Sequence, residues 1–356
     1  MNKHRVIILF GGDGNEHRVS VASAQNVATH LPDARLWYWT TDGPVLEVSS
    51  VELFSFERPF ENDFSPASTI EWSGISQALR DDSAGGAVFY LALHGGSGEN
   101  GTIQAELESL GHAFTGSGSA ASRLAFDKVR ARDVVAARDI RVADACIVDA
   151  DAATHEKLAA LLEKHGKVVV KPVADGSSHG VRIVENEHEL DAAIVAIRQG
   201  GGVAHLAEAF IKGRELTVAV VEHGDEDERT PLPCSEVKLD QGRSFDYEGK
   251  YLGKGTVELT PAPVSDDVAA AAQHVAITAH QAVGCAGYSR TDIIIQETEN
   301  ENGPVFLEIN TLPGLTAASF IPQQLEAAGT TMKEFLESQL ELARKPASLR
   351  EPKAAG

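Results

Sequence analysis

The chain has 356 residues, 43% of them hydrophobic, and sets 52 acidic residues against 31 Lys and Arg, for a formal net charge of -21. A chain this long buries more than one core, so two or three domains are expected. The acidic balance, with a pI near 5.0, argues against a nucleic-acid surface or an anionic membrane as partner, and any polyanionic ligand must be held by a few local cations. From the N-terminus, Arg5 to Phe10 is an apolar run too short for a signal peptide, followed by GGDGNE and then VSVASAQNVATHL with apolar residues at helical spacing. Strand, glycine turn and helix open an α/β unit. The turn fails the dinucleotide fingerprint, because His17 stands at the third glycine position. Glu16 beside a helix start either favours the macrodipole or receives an ammonium.

RLWYW (35–39) and AVFYLAL (87–93) read as further buried strands, and residues 40–85 as mostly loop with one helix near Gly74 to Arg80. HGGSGENG (94–101) leads to a helix, the turn FTGSGS and a long helical stretch from Ala120 to about Asp139. IRVADACIV (140–148) is a short strand, and AATHEKLAALLEKHG an amphipathic helix closed by Gly166. KVVVKP, GVRIV, VAHLAEAF and ELTVAVV alternate with a helix at about Glu187 to Arg198, the pattern of an antiparallel sheet with helices on one face.

Lys171 leaves a Val-rich strand, so its stem is covered and its ammonium projects at the sheet edge, where it can meet phosphate. The following ADGSSHG has the small residues of a phosphate-covering flap, interrupted by His179, though lysine-proline before a Gly/Ser turn also occurs in plain surface loops. Further strands are SEVKL, YSRTDIII and PVFLEIN, with a long helix at about 266–283 and a frayed tail at 346–356. YSRTDIIIQ and PVFLEIN are joined by ETENENG, which suits a turn. Alternation puts Arg290, Asp292, Glu308 and Asn310 on one surface and Thr291, Ile293, Leu307 and Ile309 toward the core. Two carboxylates and an amide oxygen suit Mg²⁺; the bland alternative is a solvated hairpin face. Cys146, Cys234 and Cys285 show neither a disulfide framework nor a zinc pattern, and no segment reaches membrane-spanning length, so cytoplasmic residence is expected.

Eight stretches in order resemble the D-alanine-D-alanine ligases of the ATP-grasp superfamily: GGxxxEHxVSxxSA (11–24), LHGxxGENGxxQ (93–104), FTGSGxxAS with a downstream DK (114–128), VVVKPxxxGSSxGV (168–181), EAFIKGRELTVAVV (208–221), FDYEGKY (245–251), YSRTDI (288–293) and FLEINTLPGLTxxS (306–319). The resemblance implies an α/β and α+β chain: a Rossmann-like pre-ATP-grasp domain at 1–120, then a two-lobed ATP-grasp fold at 121–212 and 213–345, and a tail at 346–356. It implies ATP as co-substrate, two Mg²⁺ ions with Mn²⁺ as substitute, amino-acid substrates and a homodimer. Lys128, Lys171 and Lys250 match phosphate contacts; Glu208, Ala209, Ile211 and Glu215 match positions around adenine and ribose; Asp292, Glu308 and Asn310 match the metal ligands. Glu16 matches the group receiving the first D-alanine's ammonium, Val19 lines that subsite, and His94 and Arg290 match carboxylate contacts. Ser319 and Phe320 match the clamp on the second carboxylate. Ser177 and Tyr251 match a network that closes the site onto Glu16.

The implied reaction is ATP-dependent formation of D-alanyl-D-alanine for peptidoglycan precursor synthesis. An acyl phosphate forms, the second amine attacks it, and Arg290 with the Gly314 N–H holds the oxyanion. Four positions depart from the family's usual residues: Gly14, His179, Ala209 and Phe320. Phe320, larger than the usual leucine, raises a rival reading, a ligase joining D-alanine or another small amino acid to a different amine. A nucleotide-binding regulator without turnover is the second rival, opposed by the intact Arg290, Asp292, Glu308 and Asn310.

Overall fold

The computed structural model describes residues 5–174, 180–223, 228–239, 256–297 and 302–345. Val6–Gly11 (β1), Arg35–Trp39 (β2), Val45–Val48 (β3), Val88–Leu91 (β4) and Ala113–Phe114 (β5) form a first sheet in the order β3-β2-β1-β4-β5. β1 runs parallel to β2 and β4, and β3 closes one edge antiparallel to β2. Ile7, Ile8, Leu9 and Phe10 are all inaccessible to solvent. Both faces of β1 are therefore covered, which explains an apolar run without alternation.

Ala145–Val148 (β6), Val168–Pro172 (β7), Arg182–Val184 (β8) and His205–Ala209 (β9) make a second, antiparallel sheet in the order β6-β9-β7-β8. The helices Thr154–His165 and Glu187–Gln199 bury Leu158, Leu190 and Ile194 against Val148, Val168 and Val170 as a separate core. The third sheet contains Gly213–His223 (β10), Glu228–Pro231 (β11), Ser235–Leu239 (β12), Thr256–Leu259 (β13), Tyr288–Glu297 (β14) and Asn302–Asn310 (β15). Its order is β13-β12-β10-β14-β15, with β11 on the far end of β10. ELTVAVV thus belongs to this sheet, not to the one formed by its three predecessors in sequence. The helix Asp266–Val283 packs Val275, Ala276 and Ala279 under it.

Three further expectations change. The region 40–85 also holds β3 and the helix Ser50–Ser55, started by a Ser49–Glu52 capping box; both elements are too short to show a period. The long helix after Ala120 is two, Ser119–Phe126 and Lys128–Ala136, because Asp127 turns extended and its carboxylate caps the second through the N–H groups of Val129 and Arg130. Leu307 does not reach the core: the register slips between Asp292 and Ile293, so Phe306 pairs with Ile293 and takes the buried place.

The first and third sheets are not independent. The helix Met332–Arg344 lays Phe335, Leu336 and Leu340 into one apolar cluster with Ile8, Phe10 and Tyr90 of the first sheet and Ala219, Val221 and Tyr288 of the third. The hairpin β14–β15 is thereby held against the glycine loops that follow β1 and β4.

Candidate active site

The hairpin supplies the charged wall of the site. In register, Arg290 faces Asn310 and Asp292 faces Glu308. Arg290 donates from Nε to Asp292 Oδ1 at 2.9 Å and from a terminal nitrogen to Oδ2 at 2.8 Å, a fork that fixes the guanidinium plane. Thr217 on β10 donates to the same Oδ1 at 2.5 Å. The Lys128 ammonium lies 3.8 Å from Glu308, while its backbone N–H donates to the Val173 carbonyl at 3.0 Å. Lys128 therefore ties the second sheet's outgoing loop to the hairpin.

The opposite wall comes from the two glycine loops. Glu16 precedes the helix His17–His30 and is 9% exposed. Its carboxylate fits beside Gly95, where a Cβ would come within 2.7 Å of Glu16 Oε2; Gly95 also holds a φ of 62°. A Cβ at Gly14 would stand 2.9 Å from the Gly96 nitrogen, so the two loops meet backbone to backbone. His94 is buried between them. Its Nδ1 donates to the Leu312 carbonyl at 2.8 Å, which leaves Nε2 to accept from the Ser23 hydroxyl at 2.8 Å. Desolvation holds its pKa below the usual histidine range despite the Glu16 carboxylate nearby. With Ser23 also accepting from the Leu315 N–H at 3.2 Å, His94 positions the Leu312–Leu315 turn, and both its nitrogens are engaged by protein.

These elements enclose a cleft with about 1020 Å³ of space between atoms, its open mouth included. Of the residues singled out by sequence, Glu16, His94, Lys128, Arg290, Glu308 and Asn310 line it, together with Gly314, Ser319 and Phe320 from the turn after β15. Ser319 accepts from the Thr316 N–H at 3.1 Å and starts the helix Phe320–Ala327. Val19 is fully buried in its helix, and neither it nor Asp292 lines the cleft. Lys171 and Glu208 form a separate pair, Nζ to Oε2 at 2.6 Å, with an Arg132 nitrogen 4.0 Å from the other oxygen. Ala209 ends β9, Ile211 follows it, and Glu215 lies on β10 across from Val237. None of these five lines the cleft. Ser177, His179, Lys250 and Tyr251 lie outside the described residues.

Sequence reasoning missed several lining residues, Glu99, Glu258 and Phe60 among them. Glu99, inside the quoted LHGxxGENGxxQ motif, accepts from the Gly95 N–H at 3.1 Å. Desolvation, reinforced by Glu16, raises its pKa to about 7. Glu258 on β13 is also raised, by desolvation, although Gln323 donates to it at 3.0 Å. Phe60 comes from the region read as featureless loop.

The hairpin donors fit a hard divalent cation. Glu308 and Asn310 line the cleft, with Asp292, its carboxylate held by Arg290 and Thr217, across from Glu308 in register. The Asn310 Nδ2, buried without a partner among the described residues, would donate to a phosphate oxygen that a cation there also binds. No cluster of three or more His, Cys, Asp or Glu side chains able to hold a metal occurs among the described residues. A cation here would complete its shell with phosphate and water oxygens, as Mg²⁺ does.

Two family models match the chain: "D-ala D-ala ligase N-terminus" over residues 5–117 and "D-ala D-ala ligase C-terminus" over residues 134–341. A D-alanine–D-alanine ligase of Leptospira interrogans is 34% identical over 354 residues, covering 96% of this chain and 98% of that protein. One of Methylobacterium radiotolerans is 36% identical over 343 residues, with 96% and 98% covered. Among solved structures, the D-alanine-D-alanine ligase of Coxiella burnetii matches with a TM-score of 0.78 and 26% identity, covering 96% of this chain and 94% of that one. The VanG D-Ala:D-Ser ligase of Enterococcus faecalis matches with a TM-score of 0.76 and 25% identity, covering 95% and 99%.

Proposed function

The chain belongs to the D-alanine–D-alanine ligase family, and we propose that its reaction runs in the cleft between Glu16 and Phe320. The protein is a ligase of the ATP-grasp fold that makes D-alanyl-D-alanine, and the family uses ATP and a divalent metal. One observation carries the placement. Glu16 on the first sheet's glycine loop and Arg290, Glu308 and Asn310 on the third sheet's hairpin line a single cleft, although nearly 300 residues separate them.

In this reading the buried Glu16 carboxylate receives the ammonium of the first D-alanine, a charge-assisted contact that orients its carboxylate toward the nucleotide. Lys128, and Lys171 once released from Glu208, oppose the charge of the phosphates. Asp292, Glu308 and Asn310 would hold two Mg²⁺ ions, or Mn²⁺, which when bound neutralise phosphate oxygens. The first D-alanine's carboxylate oxygen bonds to the γ-phosphorus of ATP as the bond to the β-phosphate oxygen breaks, leaving an acyl phosphate and ADP. The second D-alanine, its carboxylate against Ser319, attacks through its deprotonated amine; the C–N bond forms and the C–O bond to phosphate breaks. Arg290, locked by its fork to Asp292, and the Gly314 N–H face the oxyanion formed between those events. His94 holds the backbone of that turn in place.

Glu208, Ala209, Ile211 and Glu215 surround the nucleotide base and ribose in this reading. Three units at 1–120, 121–212 and 213–345 each carry one of the three sheets, and the dipeptide serves peptidoglycan precursor synthesis. A cytoplasmic homodimer completes the reading, which light scattering on the purified protein checks. The rival acceptor reading keeps one observation in its favour, the Phe320 ring in the cleft lining. ADP release measured with ATP, Mg²⁺ and D- and L-amino acids, alone and in pairs, decides between them. D-Alanine alone should release ADP in proportion to recovered D-alanyl-D-alanine. ADP release that requires a second, different amine would establish the rival, and none with any amino acid would remove every ligase reading.

A further inference from the structure

The segment from Phe56 to Phe64 takes no part in the reaction as described, yet it is a built loop. Its feet are two phenylalanines whose rings meet edge to face with centroids 5.2 Å apart. Phe64 is buried against Phe10 and Tyr38, and the Tyr38 hydroxyl donates to its carbonyl at 3.1 Å. Gln25 donates to the Phe56 carbonyl at 2.8 Å. Between the feet the chain makes one helical turn, with the N–H groups of Glu61 and Asn62 on the Arg58 carbonyl at 3.1 and 3.3 Å. Arg58 holds a φ of 58°, a conformation that a non-glycine residue keeps only where its surroundings impose it.

Asp63 fastens the loop to the start of the helix His17–His30. Its carboxylate accepts from Arg18 Nε at 2.8 Å and from His17 Nε2 at 2.9 Å. At the tip, Phe60 is partly exposed and lines the cleft, as do Glu16 and Phe320. Glu16 is the residue immediately before His17, so the anchor that holds the loop also fixes Phe60 relative to the ammonium-binding carboxylate.

We propose that Phe60 is a specificity-determining residue: with Phe320 it walls the side-chain space of the second amino acid and limits that side chain to about the size of a methyl group. The proposal rests on the reading of the cleft given above. In that reading the first amino acid binds at Glu16 and His94 on the cleft lining. Phe320 directly follows Ser319, which the reading sets against the second carboxylate, and Phe60 lines the same cleft from the loop tip. Phe320 is buried, and the aromatic feet and the Asp63 anchor restrain the loop that carries Phe60. An added methylene on the acceptor must therefore displace a ring, which discriminates on the order of tenfold or more.

The test is a competition between D-alanine and D-2-aminobutyrate with the full-length enzyme, ATP and Mg²⁺, reading the order of each mixed dipeptide by mass spectrometry. Phe60→Ala should raise D-alanyl-D-2-aminobutyrate relative to D-alanyl-D-alanine by about tenfold. The dipeptide of reverse order should stay within about twofold of its wild-type share, and the KM for ATP should not move. Phe60→Leu, which keeps an apolar side chain and guards against a folding loss, should fall between. Asp63→Asn, which weakens the anchor, should shift the ratio in the same direction. An unchanged ratio in Phe60→Leu and Phe60→Ala overturns the proposal, as does a rise confined to the reverse-order dipeptide, which would assign Phe60 to the first subsite. Failure of the ligase reading is distinct: the wild-type enzyme would then form no dipeptide at all.

Discussion

Glu16 reaches the cleft only because Gly95 has no side chain, since a Cβ there would stand 2.7 Å from its carboxylate oxygen. Gly95→Ala should therefore displace Glu16, raising the KM for D-alanine about tenfold or more while the KM for ATP stays near the wild-type value; equal rises in both would disconnect Gly95 from Glu16. Glu99 makes a different point. Its pKa stands at about 7 against an ordinary 4.5, so between those values the folded protein binds more protons than the unfolded chain, and stability falls as pH rises through that window. Glu99→Gln keeps an acceptor for the Gly95 N–H and removes the charge. In thermal unfolding it should stabilise the protein at pH 8 by roughly 1–3 kcal/mol, less any screening by cleft water, and change little at pH 4.5. A gain independent of pH would refute the burial argument. Glu99 stands within a motif visible in the sequence, yet nothing in spacing marks it, because its environment is made first by burial in the fold and then by Glu16, which is remote in the chain.

At the level of elements, alternation and length decided what could be read. The hairpin β14–β15 was legible because two apolar-rich runs, YSRTDIIIQ and PVFLEIN, flank the turn-suited ETENENG, whereas the bulge that moves Leu307 out of the core leaves no mark in the sequence. Asp127 reads as one polar residue within a helical stretch, and only the N–H groups it caps show that the helix starts again there. The loop from Phe56 to Phe64 was illegible for a similar reason: its stability lies in contacts to Phe10, Tyr38 and the His17–Arg18 pair, all more than 15 residues away. Arg18, first, and His17 lower the pKa of the exposed Asp63 to about 2, so this anchor is present above the ordinary aspartate range and is lost as pH falls toward 2. Because an exposed pair contributes less than about 1 kcal/mol, Asp63→Ala should barely alter global unfolding. It should speed amide exchange at residues 58–63; unchanged exchange there would mean that the aromatic feet alone hold the loop.

Across the whole molecule, the shared core sets the geometry of the site. Phe335 is fully buried, with its ring centroid 5.3 Å from that of Tyr288, and its helix contacts both the first and the third sheet. Phe335→Ala should cost about 3–5 kcal/mol and lower the unfolding of both sheets together, whereas a loss confined to one would show that they are separate folding units. The net charge of -21 left a need for local cations, and the fold meets it with Lys128 and Arg290 in the cleft and Lys171 and Arg132 beside Glu208. The central claim is that the proposed site has an amino-acid end at Glu16 in the cleft and a nucleotide end at Lys171, which pairs with Glu208 outside the cleft lining. Steady-state kinetics of Glu16→Gln and Lys171→Ala, each with D-alanine and ATP varied, test it most directly. Glu16→Gln should raise the KM for D-alanine on the order of a hundredfold and leave that for ATP within about threefold, with the reverse for Lys171→Ala. Comparable changes in both constants for either variant would contradict the division of the site.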